Sequence, residues 1–223
     1  MTRPILLDLF CGAGGVAVGY HRAGFHVIGV DISPQPNYPF EFHQADALEV
    51  LALMTTWRSL EDTRAIHASP PCQIHSTQTA DKSRHVDLIP ATRAALIATG
   101  LPYVIENVEG AAKTMDDPVR LCGSSFGLDV RRHRYFETNW GMVGVDCNHA
   151  AQTPRFRSLN IAQHRAGKLA SVVGVHGHLN YPGEFEIRCN AMGIHWMTVA
   201  ELSQAIPPAF THHIGLQMIE QLK

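Results

Sequence analysis

"ILLDLFCGAGGVAVGYHRAGFHVIGVD", residues 5–31, decides the fold of this chain. "ILLDLF" is a short apolar run, "CGAGG" turns the chain, "VAVGYHRAGF" has helical patterning, and "HVIGVD" is a second apolar run ending on Asp31. A strand, a glycine turn, a helix and a strand make a βαβ unit. The same texture continues outward. "FEFHQADALEVL" reads as a third short strand running into a helix at Asp46, "AIHASPPC" as a fourth strand, and "PYVIENVEG" at 102–110 as a fifth. Strands alternating with helices predict an α/β fold with a Rossmann-like, mostly parallel, doubly wound sheet whose ligands sit at the carboxyl ends of the strands. "VRLCGSSFGLDVRRHRYFETNW" at 119–140 reads as a hairpin-like stretch, and 197–222 as a helix, a Pro-Pro interruption and a last helix. Residues 139–190 have no legible periodicity.

The composition is that of a soluble globular protein, and 223 residues with a formal charge of −2 make one large domain, or one domain with a small appendage. No apolar run approaches a membrane span, and the N-terminal run lacks the length and cleavage site of a signal peptide, so a cytosolic protein is expected. Five scattered cysteines, an odd number, argue against a disulfide framework and leave thiols free for chemistry. The charge sets no broad basic field, so any nucleic-acid contact has to come from a local basic stripe.

The glycines of "DLFCGAGG" allow a tight turn after a strand and leave room for a ligand at the helix start. The stretch is neither a phosphate loop nor a full GxGxxG, and a purely structural turn is the alternative. Asp31 adds to it, since a carboxylate ending the next strand can accept both ribose hydroxyls of an adenosine-containing ligand. Asp46 can bond an exocyclic amine in the same crevice or simply cap the following helix. In "PPCQ", residues 70–73, two prolines fix φ at successive positions and present Cys72 stiffly. Rigid placement suits a nucleophile, with a buried inert thiol as the bland alternative.

"DLFCGAGG", "PPCQ", "ENV" at 106–108 and "RRHR" at 131–134 occur in the order found in the cytosine-5 DNA methyltransferases, and the chain resembles that family. The closing "AIPPAFTHHIG" is similar to the family's last motif, so the resemblance covers most of the chain outside 139–190. It implies a Rossmann-like, class I S-adenosylmethionine-dependent catalytic core over 1–138, an abbreviated target-recognition segment over 139–190, and a C-terminal return to the core over 191–223. It implies S-adenosylmethionine as methyl donor, leaving S-adenosylhomocysteine. Phe10, Gly12, Gly14, Asp31, Ile32 and Asp46 would contact that cofactor, with Pro71 lining the pocket near the methyl group; Phe10 is equally readable as core.

The resemblance makes Cys72 the nucleophile that adds to carbon 6 of cytosine and activates carbon 5. Glu106 would bond ring nitrogen 3 and the exocyclic amine, and Arg132 and Arg134, two apart on an extended segment, would hold the base carbonyl and a phosphate. Arg131 and His133 would face away, and Gln73 would shape the loop. The base has to leave the stack to be reached from both faces.

Departures are visible. The stretch between Arg134 and Pro207 is short for the family's target-reading segment, which fits a compact recognition element, relaxed specificity, a single-stranded or RNA target, or a helper protein. "TPRFRS" and "HRAGK" are candidate phosphate contacts. The usual glutamine before the arginines is Val130 or Arg131 here, and the usual Gly-Asn pair of the last motif is Gln204-Ala205. Cys122, Cys147, His149 and Cys189 are conceivable zinc ligands, with "CNH" giving two, but their spacing matches no standard finger and no metal is expected.

The function expected is therefore cytosine-5 methylation of DNA, most naturally double-stranded, by a compact enzyme like phage or mobile-element versions of the family, with host-defence evasion or a restriction partnership as its role. RNA methylation, a non-catalytic nucleic-acid binder and a flavin or NAD oxidoreductase are the alternatives.

Overall fold

The computed structural model describes residues 2–54, 62–77, 79, 81–152 and 172–222. Strands β1 (Ile5–Leu9), β2 (His26–Asp31), β3 (Glu41–Gln44), β4 (Thr63–Ala68), β5 (Tyr103–Asn107), β6 (Val119–Leu121) and β7 (Arg134–Thr138) form one sheet in the order β3-β2-β1-β4-β5-β7-β6. The first five are mutually parallel, while β7 runs antiparallel to both β5 and β6. The expected Rossmann-like sheet is present, and the hairpin read at 119–140 is the β6–β7 pair, with Leu121 opposite Arg134.

Helices α1 (Gly15–Ala23), α2 (Ala47–Leu53) and α3 (Ile89–Thr99) follow β1, β3 and β4, and α4 (Glu184–Met192), α5 (Val199–Gln204) and α6 (Pro208–Gln221) close the chain. Central strands buried on both faces need near-continuous apolar sequence: "VIGV" of β2 supplies it, and β1 interrupts its run only at the buried Asp8, which accepts from Tyr38 Oη at 3.3 Å. One core layer packs Leu6, Tyr20, Phe25, Val104, Phe136, Phe210 and Ile214 together, and the other packs Leu7, Leu9, Ile28, Ile66, Leu96 and Ile105. The last helix returns onto the first: Thr211 Oγ1 donates to the Val16 carbonyl at 2.8 Å, and a Cβ at Gly19 would stand 2.0 Å from that same Oγ1. Glycine is required there by helix contact alone.

Helix α4 begins inside the stretch 139–190, which has no readable periodicity, and runs two residues past it. It is bounded by Gly183 and Gly193, both left-handed, and held by a buried Arg188–Glu184 pair at 2.6 Å one turn apart. Residues 153–171, which contain "TPRFRS" and "HRAGK", lie outside the described residues. Among the described residues no helix is long and apolar enough to cross a membrane.

Candidate active site at the carboxyl edge of the sheet

Strand ends β1, β2, β4 and β5 all open on the same edge of the sheet because these strands are parallel. The sequence between β1 and α1 forms a strained turn there: Phe10 has φ 56, Gly12 φ 49 and Gly14 φ 82. A phenylalanine in the left-handed region is costly, and such strain is held only by its surroundings. Phe10 is half-buried against the Leu9/Ile28 layer, and the Gly12 N–H donates to Asp31 Oδ2 at 3.0 Å. Trp196 Nε1 donates to the Ala13 carbonyl at 2.8 Å, and a Cβ at Gly15 would lie 2.4 Å from the Ile206 carbonyl oxygen. The C-terminal segment thus presses directly on the turn.

Of the residues expected to contact the cofactor, Phe10, Gly12 and Gly14 belong to this turn and Asp31 accepts from it. Beyond Gly12 a Cβ would meet nothing within 4 Å, and Ile32 is 68% exposed next to Asp31. An open space beside a bare apolar side chain and a carboxylate fits an adenosine group: a flat face for the base and acceptors for ribose hydroxyls. Asp31 also braces its own loop, accepting from Ser33 N at 2.9 Å through Oδ1. Asp46 caps α2, accepting from Leu48 N at 2.8 Å and Glu49 N at 3.3 Å through a single oxygen, Oδ1. Pro71 is exposed on the neighbouring loop.

Cys72 follows β4 on that loop. The loop is anchored from the next strand: Asn107 Nδ2 donates to the Pro70 carbonyl at 2.9 Å, while Asn107 Oδ1 accepts from Val108 N at 2.9 Å. The Cys72 carbonyl then accepts from His75 N at 3.0 Å and Ser76 N at 2.8 Å, closing one turn directly behind the thiol. Asn107 was not singled out as a functional residue by the sequence; its side chain is what ties "ENV" to "PPCQ".

Glu106, one residue before Asn107, is buried at 5% exposure. Its Oε1 is ion-paired with Arg134 Nε at 3.1 Å but makes no aligned hydrogen bond, so this buried oxygen keeps capacity to accept one. Burial raises the Glu106 pKa, with Arg134, the Ser69 hydroxyl and Arg132 opposing. Burial and the nearby Glu106 also raise the Cys72 thiol, again against Arg134 and Arg132. Two acids and two guanidiniums therefore share one small region. Behind Glu106, Ser69 Oγ meets His67 Nε2 at 3.0 Å and His67 Nδ1 meets Tyr20 Oη at 2.9 Å; burial pulls the His67 pKa down to about 3, so this imidazole is neutral.

The arginines depart from the regular alternation expected of an extended segment. β7 begins only at Arg134, and Arg132 has φ 41. Both cations nevertheless act on Glu106 and Cys72. Arg132 reaches the carbonyls of Ser203 at 2.6 Å and Val175 at 3.3 Å, and burial with Arg134 beside it pulls its pKa down to about 9. His133 turns away from the acids and joins Cys122, Cys147 and His149 instead. Cys189 is separate, buried with Met192, Ile194 and Leu202.

No family model matches the chain. A stretch of 35 residues, 15% of the chain, is 57% identical to the type II methyltransferase M.XorII of Xanthomonas oryzae pv. oryzae and spans 8% of that protein. The whole chain superposes on an E. coli protein described as a DNA modification methyltransferase encoded within a prophage, with a TM-score of 0.63 at 16% identity, covering 98% of this chain and 99% of that one. It also superposes on the Dnmt2 methyltransferase of S. pombe, with a TM-score of 0.57 at 13% identity over 99% of this chain and 100% of that one. A Spodoptera frugiperda DNMT2 variant gives 0.59 at 14% identity over 97% and 99%. The chain has the class I methyltransferase fold of these proteins, and its resemblance to the cytosine-5 methyltransferases joins that fold to ordered motifs and a local match with a type II enzyme.

Proposed function

We propose that this protein transfers a methyl group from S-adenosylmethionine to carbon 5 of cytosine in DNA through a covalent Cys72 adduct on a flipped-out base. The observation that carries the reading is the convergence of a braced thiol, a buried carboxyl ion-paired to Arg134 and two arginines beside an open glycine turn. Carbon 5 of cytosine is a weak nucleophile. Addition of the Cys72 sulfur to carbon 6 breaks the 5,6 double bond and makes carbon 5 enamine-like.

Glu106 serves that addition best when it carries a proton, because negative charge develops on the ring at nitrogen 3. Burial favours its protonated form. Arg132 and Arg134 favour the thiolate electrostatically and would receive the base carbonyl and a phosphate. Bound S-adenosylmethionine supplies the methyl electrophile, and Phe10, Gly12, Gly14, Asp31, Ile32, Asp46 and Pro71 are the residues that would hold it. Loss of the carbon 5 proton to solvent then expels the Cys72 thiolate and restores the ring.

Target reading falls to 139–190 or to a helper protein, and double-stranded DNA is the polymer proposed. The test is transfer of labelled methyl to duplex DNA, single-stranded DNA and RNA in parallel, with Cys72→Ala beside the wild type and nucleoside analysis of the product. Label in 5-methylcytosine of duplex DNA, absent from the variant, is expected. Preference for RNA would overturn the choice of polymer. Cofactor binding without transfer to any polymer would point to a non-catalytic binder.

A further inference from the structure

Four metal-ligating side chains stand together outside the proposed active site. Cys122 ends the β6 side of the hairpin, His133 immediately precedes β7, and Cys147 and His149 come from the segment that follows the hairpin. One ligand atom from each lies within 4.8 Å of all the others. We propose that Cys122, His133, Cys147 and His149 bind one structural Zn²⁺.

The spacings match the ion. Tetrahedral zinc with Zn–N of about 2.0–2.1 Å and Zn–S of about 2.3 Å sets nitrogen pairs about 3.3 Å apart and sulfur–nitrogen pairs about 3.6 Å apart. His133 Nε2 and His149 Nε2 are 3.3 Å apart, Cys122 Sγ is 3.3 Å from His149 Nε2, and Cys147 Sγ is 3.6 Å from His133 Nε2. Two imidazoles converge through the same nitrogen, Nε2, so in the neutral forms only one shared proton can serve both lone pairs. A cation at the centre satisfies both, and a two-sulfur, two-nitrogen set selects zinc among the common divalent ions.

The surroundings complete the set. Ser124 Oγ accepts from Asn148 N at 3.0 Å, which leaves its own hydrogen to donate to Cys122 Sγ, also 3.0 Å away. A hydroxyl donor stabilises a thiolate ligand and fixes Asn148, the residue between Cys147 and His149. Binding deprotonates both thiols, releasing their protons to solvent, and gives a site of no net charge.

The consequence is mechanical. His133 lies between Arg132 and Arg134, and its carbonyl accepts from Arg134 Nη1 at 2.9 Å. Zinc at His133 fixes the backbone from which both guanidiniums reach toward Glu106 and Cys72. The proposal itself is independent of the methyl-transfer reading.

The test is metal analysis of the full chain purified with zinc in the growth medium, followed by cobalt exchange. One zinc per chain is expected, with cobalt giving the visible ligand-field bands of a tetrahedral site and thiolate charge-transfer absorption. His149→Ala should drop the zinc content to about a tenth or less, whereas Cys189→Ala, remote from the cluster, should leave it unchanged. Should His149→Ala fail to fold, His149→Cys decides: zinc stays bound and thiolate charge transfer to cobalt increases. The proposal is overturned by a wild-type chain that holds no zinc and gives no tetrahedral cobalt spectrum, by iron in place of zinc, or by a cobalt spectrum unchanged in the His149 variants.

Discussion

Asn107 Nδ2 holds the Pro70 carbonyl at 2.9 Å, so the end of β5 fixes the start of the loop that carries Cys72. The neighbouring Glu106 projects from the same strand end. One strand thus sets both the acid and, at one remove, the nucleophile.

Asn107→Ala removes that donor and leaves two backbone groups, Pro70 O and Val108 N, short of a partner. Loss of a buried hydrogen bond costs about 1–3 kcal/mol. A lowered melting temperature is expected, with cofactor affinity kept and methyl transfer reduced by at least about tenfold, because a displaced nucleophile costs rate more than binding. Thermal denaturation, cofactor titration and turnover on one preparation check all three.

Glu106→Gln separates charge from shape. A carboxyl whose folded pKa lies above its unfolded value stabilises the fold below the unfolded value, and that contribution is lost as pH rises through the folded one. Glu106 is of this kind. The melting temperature of Glu106→Gln minus that of the wild type should therefore climb as pH rises from about 4 toward neutrality, while activity falls sharply. A flat difference across that range would show that burial does not penalise the Glu106 charge.

The Cys72 thiol reports on its neighbours. Arg134 lowers its pKa and Glu106 raises it. Alkylation followed against pH should shift to higher pH in Arg134→Gln and to lower pH in Glu106→Gln. Opposite shifts distinguish electrostatics from general loosening, which would move both the same way.

Much of this arrangement was legible in the sequence. Apolar runs of strand length broken by a glycine turn announce β1, α1 and β2, and the hairpin-like texture at 119–140 corresponds to the β6–β7 pair. The illegible parts share a cause: each depends on residues brought together from distant points. Asn107 looks like a strand residue until Pro70 lies beside it. Arg132 reads as extended until its contacts to Ser203 and Val175 hold it at positive φ. Cys122, His133, Cys147 and His149 have no finger spacing because three segments contribute them, and Cys189 was grouped with them only by residue type. Helix α4 has a local signal, two glycines flanking a Glu184–Arg188 pair, but no apolar stripe.

The glycine turn admits a graded test. Gly14→Ala places a Cβ 2.7 Å from Pro39 Cδ at φ 82, and Gly15→Ala drives one to 2.4 Å from the Ile206 carbonyl. Gly12→Ala meets nothing, though its φ of 49 is strained for alanine. Stability should fall by about 1–3 kcal/mol for Gly15→Ala, and by about 1 kcal/mol for Gly12→Ala. Calorimetry of the cofactor should show Gly14→Ala binding more weakly than Gly12→Ala, since only the former displaces the loop.

The chemistry itself is tested most directly by trapping. Duplex DNA carrying 5-fluorocytosine cannot lose a proton from carbon 5 after methyl transfer, so the Cys72 adduct should persist. Incubation with S-adenosylmethionine should give a covalent protein–DNA complex whose digestion places the link on Cys72, and Cys72→Ala should give none. Transfer of methyl to ordinary DNA without any trapped complex, or with the label on the exocyclic nitrogen of cytosine, would contradict nucleophilic catalysis by Cys72.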